Sequence, residues 1–196
     1  IPSITIPGSV NTIKAEAFGL CGQLKSIEFL PSPTQTPLAI EYTDRSLADF
    51  GPFENASFTS IKLNRELNYV DSDGEYFTAD QLDEGIFYNI YPASSVSVTI
   101  GGQVRTIPNY MFSGLKFSSL TIPGTVTSIG NDVFNECTAL TSLTFLPSPT
   151  GEALTLGYNT ENEEDGPFLN SPLISVNLNR EINYTLANID LDAGDE

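Results

Sequence analysis

Residues 118–149 read SSLTIPGTVTSIGNDVFNECTALTSLTFLPSP, and they hold one complete unit and the start of its copy. The unit opens Phe117-x-x-Leu120-x-Ile122 and opens again as Leu140-x-x-Leu143-x-Phe145, a shift of 23 residues. Leu120 and Ile122 stand two apart and share one face of a short strand, while Val126, Ile129, Phe134 and Cys137 follow on the return and close over that face. One such unit leaves its apolar side bare. Stacked units bury it, each covering the next, with their strands in a parallel ladder about 4.8 Å apart.

A period in the twenties with the form L-x-x-L-x-L marks a leucine-rich repeat. The expected fold is therefore a repeat solenoid, a leucine-rich-repeat right-handed coil. It has a parallel β-sheet on one face, short turns or helical returns, and extra short strands in the long coils. Seven strands can be laid out by their inward pairs: Ile4/Ile6, Ile27/Phe29, Ile61/Leu63, Val98/Ile100, Leu120/Ile122, Leu143/Phe145 and Val176/Leu178. The chain thus reads as one domain, 1–196, of about seven coils.

A longer repeat is superimposed on the short one. TIPGSV at Thr5 returns as TIPGTV at Thr121 and FLPSPT at Phe29 returns at Phe145, both shifted by 116 residues. LNRELNY at Leu63 returns as LNREINY at Leu178, shifted by 115, so residues 3–70 are duplicated as 118–185. The solenoid is expected to continue beyond both ends. The chain also starts at Ile1 without a Met, as a processed or truncated product would, and any signal peptide or anchor would lie outside it.

Punctuation agrees with the coil boundaries. Pro7, Pro31, Pro123 and Pro147 follow strands, where the missing N–H ends a ladder. Phe18, Phe53, Phe87, Phe112, Phe134 and Phe168 recur on the returns and are expected to stack in the core. Leu38-x-Ile40-x-Tyr42 and Leu154-x-Leu156-x-Tyr158 alternate as an added strand or hairpin arm would.

The strand phrase S-x-T-I-P-G-x-V-x-x-I, the following x-F-x-x-C and the long-coil phrase G-P-F…L-N-R-E-[LI]-N-Y resemble the BspA-like leucine-rich repeat family of bacterial surface proteins. The resemblance covers nearly the whole chain. It departs from ordinary leucine-rich repeats where those place a buried Asn, since Ser9, Gln103 and Thr125 stand there. It implies an exported or cell-surface bacterial protein serving adhesion and partner binding, and it carries no active-site residues across.

The charge and the chemistry narrow the function further. Twenty-five acidic residues against 8 basic ones leave a net of -17, with the basic residues unclustered, so nucleic acid and anionic membrane are poor partners. No window approaches the ~20 apolar residues of a membrane helix. The chain has no His, the commonest general base and metal ligand. Carboxylate pairs fall in acidic loops without burial to raise a pKa, so catalysis is not expected. Asp71-x-Asp73-Gly74-Glu75 and Asp190-x-Asp192-x-Gly194-Asp195 offer oxygen ligands but lack the Gly and Glu spacing of a calcium loop, and they read as solvated loops. No cofactor is expected. Arg65-Glu66 and Arg180-Glu181 are assigned to pairing across neighbouring coils. Cys21 and Cys137, four coils apart, should be separated by roughly 19 Å, too far for the roughly 7 Å that a disulfide spans.

Three functions stay open: an extracellular adhesion or recognition module, a glycan-capture accessory using Tyr42, Tyr158 and Tyr91, or a ligand-free spacer. The expected partner is an extracellular protein or glycan bound by a monomer. Its expected seat is the outward face of the ladder. There Ser precedes every strand and the next outward row reads Thr5, Glu28, Lys62, Thr99, Thr121, Thr144, Asn177. Thr99, Thr121 and Thr144 are the candidate ligand-binding residues.

Overall fold

Each Ser-apolar-x-apolar phrase forms a four-residue strand, because two apolar side chains two apart can enter one core while the residues between them face water. The computed structural model describes residues 1–42, 52–71, 74, 85–87, 90, 95–158 and 166–186. Seven strands open the seven coils: β1 (Ser3–Ile6), β3 (Ser26–Phe29), β5 (Ser60–Leu63), β7 (Ser97–Ile100), β9 (Ser119–Ile122), β11 (Ser142–Phe145) and β13 (Ser175–Leu178). Pairing is parallel and in register, Ser to Ser and inward residue to inward residue, as in Ile27↔Ile61 and Leu143↔Leu120.

A second strand follows in every coil: β2 (Thr12–Ile13), β4 (Leu38–Glu41), β6 (Leu67–Val70), β8 (Thr106–Ile107), β10 (Ser128–Ile129), β12 (Leu154–Tyr158) and β14 (Ile182–Leu186). These too pair in parallel. The extra short strands expected in the long coils are present, and each short coil has a second strand as well. β4 and β12 are rungs of a second ladder rather than hairpin arms, and the short coils supply two-residue rungs that lie below the length at which alternation can be read.

The returns are turns, and among the described residues there is no helix. Left-handed backbone recurs at four-residue spacing, at Glu16 and Leu20, Tyr110 and Gly114, and Asp132 and Glu136, and this stops a right-handed helix from propagating. Four of those N–H groups, on Leu20, Tyr110, Gly114 and Glu136, are turned outward to the next coil. Leu20 N–H donates to Glu54 C=O, Tyr110 N–H to Asn131 C=O and Glu136 N–H to Leu169 C=O.

The returns stack their phenylalanines as expected, but in two triads. Phe18, Phe53 and Phe87 stack at 5.4 and 6.1 Å, and Phe112, Phe134 and Phe168 at 5.9 and 5.5 Å. Phe58 and Phe117 meet their triads edge-on. The inner members are fully buried, and Phe18 and Phe168 at the two ends are half-buried.

The ladders are interrupted near the middle of the chain. The first runs β1-β3-β5-β7 and restarts as β9-β11-β13, whereas the second runs β2-β4-β6 and restarts as β8-β10-β12-β14. The fourth coil therefore pairs backward through β7 and forward through β8. A seam crosses it between Ile100 and Thr106.

Candidate functional site

On the outward face, the rows of side chains follow from the register. Thr144 lies beside Thr121, Asn177 beside Thr144, and Lys62 between Glu28 and Thr99. Thr99 and Thr121 are exposed and Thr144 is half-buried. The three expected site residues are thus not one continuous row. Thr121 and Thr144 share a ladder, and Thr99 stands across the gap between β7 and β9.

The cause of that gap can be traced to a single ring. Every other strand with an earlier neighbour in this ladder is followed by a residue whose N–H donates back to it: Leu30 to Ile6, Asn64 to Phe29, Gly101 to Leu63, Leu146 to Ile122 and Asn179 to Phe145. After β9 the residue is Pro123, which has no N–H to offer Ile100. Its copy Pro7 follows β1, which has no earlier partner among the described strands. The opening bond is also reversed. Elsewhere the strand's Ser donates to the coil before, as Ser142 N–H does to Ser118 C=O, but here Val96 N–H donates forward to Lys116 C=O at 2.7 Å.

The result is a cavity of about 710 Å³ on the ladder face, between Ser97 and Thr99 on one wall and Ser119 and Thr121 on the other, with Pro123 and Leu146 at its end. Its lining holds hydroxyl, apolar and backbone groups and no charged side chain. That volume falls within the roughly 300–1,000 Å³ typical of ligand sites. Val98 records the opening. It occupies an inward position yet is only half-buried, whereas Ile27, Ile61 and Leu143 in the same role are fully buried.

The other sequence candidates have structural roles or lie elsewhere. Arg65 is buried and donates Nη1 to Gly8 C=O and Val10 C=O and Nη2 to Thr36 C=O, so it does bind across coils, but to backbone carbonyls and not to a carboxylate. Arg180 repeats this with Gly124, Val126 and Glu152. Gln103, at one of the positions lacking Asn, clasps Ser32 by both its N–H and its C=O. Cys137 is buried and free, its Sγ donating to Phe112 C=O, and desolvation pushes its pKa up to about 12; Cys21 is free and half-buried.

Tyr42 corrects the sugar-stacking expectation. It is 1% exposed and packs edge-on against Tyr69 at 5.8 Å, because the strand alternation that begins at Leu38 carries it inward. Tyr91 lies outside the described residues, as does the Tyr158 side chain. Of the calcium candidates, Asp71 is buried at the end of β6 and Gly74 is described, while Asp73, Glu75 and the group from Asp190 to Asp195 lie outside the described residues. Among the described residues no three acidic or thiol side chains converge as a metal site would require. The break between β7 and β9, the feature that shapes the site, was missed, although Pro123 in a strand phrase that is not the first was a signal for it.

A sequence model of the BspA type leucine rich repeat region matches the chain in six copies, over residues 1–42 and 48–189. No curated protein and no solved structure matches it.

Proposed function

The chain belongs to the BspA-type leucine-rich repeat family, and from that premise we propose that it is a non-catalytic recognition module, exported or displayed on a bacterial cell, that binds an extracellular protein partner. The partner lies along the ladder face over Thr99, Thr121 and Thr144. One observation carries the reading: on a chain of net charge -17, the cavity on this face is lined without a single charge. Uncharged surface of this extent favours a partner held by main-chain and hydroxyl hydrogen bonds with apolar contact. A glycan would call for an open aromatic face or for amide and carboxylate side chains, and the cavity lining has none of the latter, while its one aromatic, Phe117, is buried.

The test is an array of immobilised extracellular proteins and glycans probed with the parent protein and with a Thr99→Arg, Thr121→Arg, Thr144→Arg variant that keeps its circular dichroism spectrum. The expected result is saturable binding to a protein that the triple variant loses. Binding confined to glycans, retention of binding by the variant, or no saturable binding of the kind a spacer would show, would each overturn the proposal.

A further inference from the structure

We propose that the chain associates with copies of itself head to tail, the first coil of one copy seating on the seventh coil of the next. Coil seven duplicates coil three, and within the chain coil three is covered by coil four. Ile61 and Leu63 are 0% and 1% exposed beside β7, whereas Val176 and Leu178, their counterparts on β13, are 48% and 53% exposed. Phe168 and Arg180 are likewise half-buried where Phe53 and Arg65 are buried. Coil seven therefore presents, uncovered, the surface that coil three gives to coil four. Among the described residues β1 has no partner strand before it and β13 none after it. Such edges are templates for pairing with another chain.

Two observations name the occupant. The first is the kind of coil. Coil four opens SVTIGGQVRTI at Ser97 and coil one opens SITIPGSVNTI at Ser3, alike at seven of the eleven positions. The second is charge. Residues 60–96 hold seven acidic residues against two basic ones, and the coil that covers them, 97–118, has Arg105 and Lys116 and no acid. Residues 175–196 repeat the acidic half, with five against one. On this chain of net -17, the other coil with a net positive charge is coil one, with Lys14 and Lys25 against Glu16. The joint thus brings together opposite charges, as coils three and four do.

The backbone groups match as well. Ser26 and Leu30 donate to Pro2 and Ile6, so the N–H groups of Ser3 and Thr5 face away from β3. Ser175 and Asn179 donate to Thr141 and Phe145, which turns the carbonyls of Ile174 and Val176 outward to accept them in the Ser-to-Ser register of β5 and β7. Pro7 withholds one donor. Coil five, the duplicate of coil one, nonetheless stacks on coil four with Pro123 in that place, pairing β10 with β8. A head-to-tail contact leaves one free end of each kind on every assembly, so growth continues to filaments. The threonine face stays open along them, and the contact does not rest on what binds there.

The test is sedimentation equilibrium of the 196-residue chain over a concentration series reaching about 1 mM, the weak end of measurable association. The parent's mean mass should rise past that of a dimer. Leu178→Asp blocks the seventh-coil end and Ile4→Asp the first-coil end, and each variant alone should stay monomeric with its circular dichroism spectrum kept. Mixed in equal amounts, they should form a dimer and nothing larger, because one sound end of each kind remains. Should Ile4→Asp unfold, the Lys14→Glu, Lys25→Glu variant takes its place; it leaves the apolar contacts intact and should weaken association by at least about tenfold at physiological ionic strength. A parent that stays monomeric throughout, dimers of either end variant alone, as a two-fold pairing would give, no complex on mixing, or undiminished assembly of the lysine variant overturns the proposal.

Discussion

Arg65 and Arg180, 115 residues apart, make the same three hydrogen bonds: Nη1 reaches two carbonyls two coils back, and Nη2 reaches one carbonyl a single coil back. Each guanidinium fork therefore ties three coils at one corner, and burial lowers its pKa. Arg65→Lys should destabilise the protein by about 2–4 kcal/mol in chemical denaturation, because one ammonium cannot satisfy three buried carbonyls arranged for a planar fork. Arg180→Lys should cost less, since Arg180 is only half-buried. Equal and small losses would show the fork to be dispensable.

Phe134→Ala should destabilise by roughly 3–5 kcal/mol. The ring is fully buried between Phe112 and Phe168 and meets Phe117 on its edge, so its removal empties the centre of a triad. Phe18→Ala, at the half-buried end of the other triad, should cost less than half as much. A loss below about 1 kcal/mol for Phe134→Ala would contradict the stacked core.

Gly124→Ala should be poorly tolerated, for a reason of space. A Cβ there would lie 1.8 Å from Pro147 C=O in the next coil, and backbone on both sides leaves no soft side chain to yield. Gly102, with nothing within 4 Å of its Cβ position, is the control, and Gly102→Ala should be neutral or slightly stabilising. Melting temperatures of the two variants give the comparison, and equal values would refute the close approach of the coils.

Alkaline pH should destabilise the protein in part through Cys137. In the folded state its thiol stays neutral to about pH 12 because it is desolvated, while in the unfolded chain it ionises near its ordinary value of 9.0. Below pH 9 the contribution is fully present. Between 9 and 12 the unfolded state binds fewer protons, so stability falls with rising pH, by at most about 1.4 kcal/mol per unit from this group. Tyr69, buried and likewise raised, adds its own decline above pH 10. Cys137→Ala should flatten the curve between pH 9 and 10, and in native protein Cys21 should react with a thiol reagent well before Cys137. Equal reaction rates would show Cys137 to be accessible.

The solenoid was legible because its period-two inward pairs are apolar in all seven strands, and burial follows that pattern at Ile27, Ile61 and Leu143. What was not legible depends on neighbours that sequence spacing does not reveal. Arg65 signals a charge partner, but its acceptors are carbonyls, which every residue carries. Tyr42 was expected at the surface as a sugar-stacking aromatic, yet its place in the alternation turns it inward. The phrase TIPG reads alike at Pro7 and Pro123, yet only Pro123, after β9, follows an earlier described strand, β7. Two-residue rungs such as Thr106–Ile107 are too short to alternate, so three of the seven second-ladder rungs left no periodic trace.

The seam through the fourth coil bears on how the chain comes apart. In a stack where each coil is coupled only to its neighbours, cooperativity is the sum of the couplings between adjacent coils. The coupling of coils three and four lacks the second ladder, and that of coils four and five lacks the first. Unravelling that begins at either end therefore crosses the fourth coil easily and pauses at the first coupling beyond it that has both ladders. Under stretching force the protein should release its length in two bursts, with the fourth coil leaving with whichever half lets go first.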